Sequence, residues 1–202
     1  MKSIVSPFMI CLLLIAFISC KNDAKQDQET TSSETEEVTP APPKKELTDQ
    51  DRNQINSLMT KLMLNPEFKT MSSMAVSAGL TDMLSSSEGP YTLFAPEGPA
   101  FNEVPQDSIN HLVNPENLEE LIRFYKGHLV EGEFDSVYIT QALQKEGELQ
   151  FTTMSGSILT VQKRGSDLIV RDGQGREARI SSSDLKGFNG VIHGLDRPLG
   201  IN

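Results

Sequence analysis

The chain is 202 residues long and carries 28 acidic against 18 basic residues, a formal charge of −10. That balance argues against a nucleic-acid backbone as partner. Both of its cysteines, Cys11 and Cys20, lie near the N-terminus, which denies the rest of the chain a disulfide framework, a thiol nucleophile or a cysteine-ligated zinc site.

Lys2 is followed by an unbroken apolar run over residues 8–18, the length of a signal-peptide core and too short to span a bilayer. It ends in Phe17-Ile18-Ser19-Cys20, which resembles a bacterial lipobox, with Phe17 in place of the usual leucine. On this reading residues 1–19 are a lipoprotein signal peptide. The Cys20 thiolate is the nucleophile that accepts a diacylglyceryl group, and Cys20 becomes the acylated, palmitate-type N-terminus. The alternative is ordinary signal-peptide cleavage with Cys20 incidental. Several acyl chains on one residue exceed what stable membrane anchoring needs, at about 0.8 kcal/mol for each buried CH₂. Residues 21–46 are rich in Lys, Asp, Glu, Gln, Ser, Thr and Pro, with Val38 their one sizeable aliphatic side chain. Such a composition cannot offset chain entropy by burial, so residues 20–46 read as a lipidated cysteine and an acidic, disordered tether.

Residues 47–202 remain for one domain, enough to bury about two-thirds of the surface of the unfolded chain without metal or disulfide. Thr48 and Asp51 approximate a capping box, and Ile55, Leu58, Met59, Leu62 and Met63 fall on one face of a predicted first helix. Asn65-Pro66 starts a second helix, with Phe68, Met71, Ala75 and Ala78 on its inner face and Gly79 as its stop. Tyr91-Thr92-Leu93-Phe94-Ala95, entered through Gly89-Pro90 and closed by Pro96, reads as a buried strand. Asn114-Pro115 repeats the cap-and-proline signal before a stripe of Leu118, Leu121, Ile122 and Tyr125 that Gly127 ends, and His128-Leu129-Val130 reads as extended. From Gly147 onward short β-type segments alternate with glycine turns, among them Ser155-Gly156-Ser157 and Asp172-Gly173-Gln174-Gly175. Helices first and hairpins after imply an α+β domain.

Four segments in order resemble the fasciclin domain family. Asn65-Pro66-Glu67-Phe68 through Ala78-Gly79-Leu80 is similar to its opening helices. Gly89-Pro90-Tyr91-Thr92-Leu93-Phe94-Ala95-Pro96 with Ala100-Phe101 resembles its first signature. The run from Leu121 to Gly132 resembles its helix-to-strand passage. Asn189-Gly190-Val191-Ile192-His193-Gly194-Leu195-Asp196 resembles its closing signature, with Gly194 where a β-branched residue is common, which points to an irregular last strand. Two departures matter here, that one and the separation of Tyr125 from His128 by two residues where the family usually has an adjacent Tyr-His pair linked to receptor adhesion. The resemblance implies a single fasciclin-like domain, a β-strand wedge flanked by helices, that binds other surface molecules and is not generally enzymatic. Tyr125, His128 and His193 are the candidate interaction segment it implies.

Chemical alternatives find little support in the residues. There is no Gly-x-Ser-x-Gly elbow and no His-Glu-x-x-His, no calcium loop is spaced over 167–172, and no glycine-rich loop opens a helix that would cradle phosphate. No cofactor, metal or catalytic residue is therefore assigned. His128 and His193 sit in apolar surroundings that favour buried rings bonded to backbone, and His111 reads as a surface residue. Arg171, Arg176 and Arg179 read as partners of acidic neighbours across a hairpin, with a basic strand patch for anionic glycan as the alternative.

Three readings stand. The first is a binding or adhesion module tethered to the membrane through Cys20, on the cell surface or the periplasmic face of the outer membrane, contacting a protein or polysaccharide. The second is a periplasmic lipoprotein with an apolar cleft for a small ligand or lipid. The third is an enzyme assembled only in space, with His128 or His193 near Asp135 or Asp196.

Overall fold

The computed structural model describes residues 47–86 and 88–201. The expected signal peptide, the lipidation expected at Cys20 and the expected tether lie outside the described residues.

The predicted first helix is two. Helix α1 (Asp49–Ile55) carries the Thr48–Asp51 capping box and buries no residue. The chain breaks at Asn56, and Ser57 caps α2 (Leu58–Leu64) by accepting from the Thr60 N–H. The break shifts the helical phase. Leu58, Met59 and Leu62 are buried as expected, whereas Ile55 and Met63 are 55% and 64% exposed, a correction to the expected single stripe.

Asn65 caps a short 3-10 turn, Pro66–Phe68, that runs into α3 (Lys69–Ser77) and α4 (Thr81–Ser85), with Phe68, Met71, Ala75 and Ala78 buried. Strand β1 (Tyr91–Pro96) is buried at every position. A 3-10 turn over Gly98–Glu103, α5 (Gln106–Leu112), α6 (Leu118–Lys126) and β2 (Leu129–Glu131) follow. Asn114 caps a 3-10 turn, Pro115–Asn117, by accepting from the Glu116 N–H, and the turn runs into α6, where Leu121 and Tyr125 are buried; Leu118 is 43% exposed, against expectation.

Ahead of the hairpins lies a helix that the sequence reading did not anticipate: α7 (Ser136–Glu146), capped by Asp135 and burying Ile139 and Leu143. Strands β3 (Glu148–Thr152), β4 (Ile158–Arg164), β5 (Asp167–Asp172), β6 (Glu177–Gly187) and β7 (Gly190–Leu195) then complete one seven-stranded sheet, ordered β2-β1-β7-β6-β5-β4-β3. The β1–β7 pair is parallel, with Tyr91 beside Gly190 and Pro96 beside Leu195, and every other pairing is antiparallel. The outermost strands bend toward each other, joined by an isolated bridge between Val130 and Thr153 and by the Met154 N–H donating to the Leu129 carbonyl.

Because side chains alternate along a strand, β1 feeds two cores. Tyr91, Leu93 and Ala95 face a helix-side core with residues of α2, α3 and α6, while Phe94 faces a strand-side core with α7 and β3 to β6. Gly190 is required at the β1–β7 seam. Its φ is +146°, and a Cβ there would run into the Tyr91 carbonyl oxygen.

The irregularity expected at Gly194 falls on the neighbouring strand. Strand β6 slips register on both sides of Ser182, the partner of Gly194, and Asp184 is the one non-glycine residue with positive φ (63°) among the described residues. A side chain on Gly194 would overlap Glu97 and Ser182, whose hydroxyl donates to the Glu97 carboxylate at 2.7 Å across the glycine. The bulge re-aims Asp184 to the start of α7, where it accepts from the Ser136 N–H and hydroxyl.

A candidate cleft and the buried histidines

Tyr125, His128 and His193 are all buried, at 0%, 1% and 0% exposure. Tyr125 reaches its position because the stripe of α6 faces the helix-side core. Its hydroxyl has no hydrogen-bond partner among the described residues, and burial raises its pKa. His128 follows the C-terminal turn of α6, its ring 4.7 Å from that of Phe124. Its Nδ1–H donates to the Phe124 carbonyl (3.0 Å), and its Nε2 accepts from the Leu199 N–H (3.2 Å). Burial pushes its pKa down to about 4, so the ring is neutral at pH 7. His193 lies in β7 on the face that carries Phe94, stacked 5.6 Å from that ring, with Nε2–H donating to the Phe134 carbonyl (2.8 Å) and Nδ1 unpartnered among the described residues. Its pKa too is lowered, chiefly by burial.

The structure therefore does not bring these three side chains together or to the surface. Neither histidine hydrogen-bonds to the acids considered for catalysis, although the Asp135 carboxylate acts on His193 electrostatically from a distance. The Asp135 carboxylate accepts from the Tyr138 N–H and from Lys186 Nζ, both at 2.9 Å, and Asp196 holds Arg179 through its backbone N–H (2.7 Å) and guanidinium (3.3 Å). Among the described residues no group of three His, Cys, Asp or Glu is placed to hold a metal.

His128 does shape a concavity that sequence reasoning missed. By tying Leu199 to α6 it fixes the floor of a half-open cleft of ≈ 420 Å³ between α6, the β3–β4 turn, the β5–β6 turn and the C-terminal residues. Leu112, Phe124, Leu159 and Leu199 supply apolar surface, and Gly127, Ser155, Ser157 and Gln174 lie on the same wall. Four charged side chains line it. Asp172 is tied to Arg176, whose Nε donates at 2.7 Å, and Arg176 also donates to the Ile201 carbonyl at 3.1 Å. Burial pushes the Asp172 pKa up, but the hydrogen bonds it accepts from the Arg176 side chain and from the Arg176 and Gln174 N–H groups outweigh that and hold it below its ordinary value. Glu120 accepts from His111 Nε2 at 3.1 Å, and Asn117 donates to the other ring nitrogen at 3.0 Å. The fourth, Arg123, is exposed on α6.

The remaining expectations for charged residues fare well. Arg176 and Arg179 pair with Asp172 and Asp196, and Arg171 lies opposite Glu177, which Arg164 grips with two hydrogen bonds at 2.8 and 2.9 Å. A patch of uncompensated arginines for a glycan is not what this face presents.

Residues 66–201 match the sequence profile of the Fasciclin domain. The chain is similar to the protein sll1483 of Synechocystis sp., 33% identical over 135 residues that make up 66% of this chain and 67% of that protein. It is also similar to the transforming growth factor-beta-induced protein ig-h3 of Sus scrofa, 28% identical over 145 residues, 71% of this chain but 19% of that one. Among solved structures, a FAS1 domain pair from the insect cell adhesion molecule Fasciclin I superimposes with a TM-score of 0.63 at 17% identity, over 71% of this chain and 50% of that chain.

Proposed function

Since the chain belongs to the fasciclin-domain family, we propose that it is a non-enzymatic binding and adhesion module, held at the cell envelope through acylated Cys20, that contacts a protein or polysaccharide by surface complementarity. One observation carries the reading: the groups that might have done chemistry are committed to architecture. Both histidines are buried with backbone partners, and Asp135 and Asp196 serve as a helix cap and an arginine clamp. The structural likeness to a cell adhesion molecule points the same way. Among the described residues no helix is long and apolar enough to cross a membrane. The attachment proposed rests on the lipobox-like Phe17-Ile18-Ser19-Cys20 and the acidic segment that follows it.

The test is protease accessibility on intact cells expressing the wild type and Cys20→Ala, with the membrane fraction assayed for each. The wild type should sediment with membranes and be clipped from outside, and Cys20→Ala should be released. Wild-type protein protected until the outer membrane is breached would move the module to the periplasmic face and end the adhesion reading.

A second reading, handling of a small ligand, is favoured by the cleft against α6. Its volume of ≈ 420 Å³ falls in the range of small-molecule sites, about 300–1,000 Å³.

A further inference from the structure

We infer that the cleft against α6 binds a small organic acid with an apolar body, its carboxylate on Arg123 and its body against Phe124, Leu112 and Leu199. The inference rests on the ligand-handling reading and gives it a chemistry.

The charges around the cleft decide the sign of the ligand. Asp172 is ion-paired with Arg176 at 2.7 Å, and Glu120 shares a hydrogen bond with the His111 ring at 3.1 Å. His128, at the floor, is uncharged at pH 7 because it is buried. Arg123 is the charged side chain of the wall whose guanidinium makes no hydrogen bond or ion pair among the described residues, with Glu119 and Glu120 one turn before it on α6. A cationic ligand would meet this arginine as a like charge, and a neutral one would leave it unused. A carboxylate matches it with two parallel N–H···O bonds, a geometry a guanidinium presents without rearrangement. Beside low-dielectric apolar walls such a contact is screened less than on open surface.

The floor decides the rest of the molecule. Phe124, Leu112 and Leu199 are 7%, 7% and 2% exposed, apolar and closely held, and Leu199 is fixed by its bond to His128. A polyhydroxylated body would lose water hydrogen bonds there without replacement, whereas an alkyl or aryl body loses none. An acid of octanoate size fits the volume.

The test is titration calorimetry at pH 7 on the complete chain carrying Cys20→Ala, which keeps acyl chains and detergent out of the cell. The probes are octanoate, 1-octanol and acetate. Octanoate should saturate one site, with 1-octanol and acetate each at least about tenfold weaker, a margin one charge-assisted pair supplies. Arg123→Gln should lose about tenfold for octanoate and leave 1-octanol unchanged, and Arg123→Lys should recover part of the loss. Amide shifts of Gly127, Gly173 and Gly200 on octanoate addition would place the site, since all three line the cleft. Arg123 is exposed, and an unchanged thermal midpoint in Arg123→Gln separates lost binding from lost folding. Equal affinity for octanoate and 1-octanol, or no effect of Arg123→Gln, would overturn the assigned chemistry and leave the ligand-handling reading standing. No heat with any of the three probes at millimolar concentration would sink both.

Discussion

The two sides of β1 are different materials. On the helix side, Leu93 packs into a core that contains Met59, Met71 and Met74, unbranched side chains that can refill a gap. On the strand side, Phe94 meets Phe151 at 5.9 Å and His193 at 5.6 Å, and Phe134 lies tilted 4.7 Å from Phe151, amid β-branched residues of the hairpins. One side is plastic and one is rigid, although a single strand feeds both. The lesson is that equal burial need not mean equal consequence, because the cost of a cavity depends on how far its walls can relax.

That contrast can be broken most directly on adjacent residues. Phe94→Ala should destabilise the domain by about 4 kcal/mol, and Leu93→Ala by about 2.5 kcal/mol, read by urea denaturation. Both residues are fully buried, so a reversed order would show that methionine plasticity is not what separates the two cores.

Acid is the next probe, because the domain holds two histidines that burial keeps neutral. In the unfolded chain a histidine titrates near its ordinary value of about 6.5, and folded His128 only near about 4. Between those values the unfolded state binds more protons, so stability falls as pH falls through that window, by up to about 3 kcal/mol for His128. His193 acts in the same direction. Urea midpoints at pH 7 and pH 4.5 should differ less in His128→Gln than in the wild type; identical pH slopes would refute the assignment.

A smaller effect tests the joint between helices and sheet. The Asn189 side chain accepts from the Leu58 N–H at 2.9 Å and donates to the Leu84 and Ser86 carbonyls at 3.0 Å. Asn189→Ala leaves these groups unsatisfied and should cost about 2 kcal/mol in the same assay, while Asn189→Asp, which keeps the acceptor and loses the donors, should cost no less. The smallest effect belongs to Thr48→Ala. It removes the cap of a helix that buries nothing, and the expected loss is about 0.5 kcal/mol or less. A larger loss would mean that α1 contributes to the domain beyond its own backbone.

The plastic side was the easier to foresee in outline and the rigid side in detail. Period-3.6 spacing placed Leu58, Leu62, Met71 and Ala75 correctly, but the stripe was drawn straight through Asn56-Ser57, where the chain turns, and so misplaced Ile55 and Met63. The continuous apolar run of β1 marked burial on both faces, as the structure bears out. Helix α7 escaped because its apolar stripe is only Ile139 and Leu143, with Val137 and Tyr138 exposed beside them, although Asp135 and Gly147 were signals for its ends. His128 and His193 were foreseen as buried rings bonded to backbone. The cleft was not foreseen, since its walls come from α6, two distant turns and the C-terminal residues, which no local pattern relates.

The parallel seam has a consequence for how the chain is made. Strand β1 emerges early, yet its inner neighbour is β7, with Tyr91 waiting for Gly190 and Pro96 for Leu195. A chain synthesised or threaded N-terminus first therefore carries an apolar strand with one edge open until residues 190–195 are free, and long-range pairing of this kind forms slowly. The sheet waits on a strand about a hundred residues downstream, so a molecule cut short before Gly190 cannot close its centre.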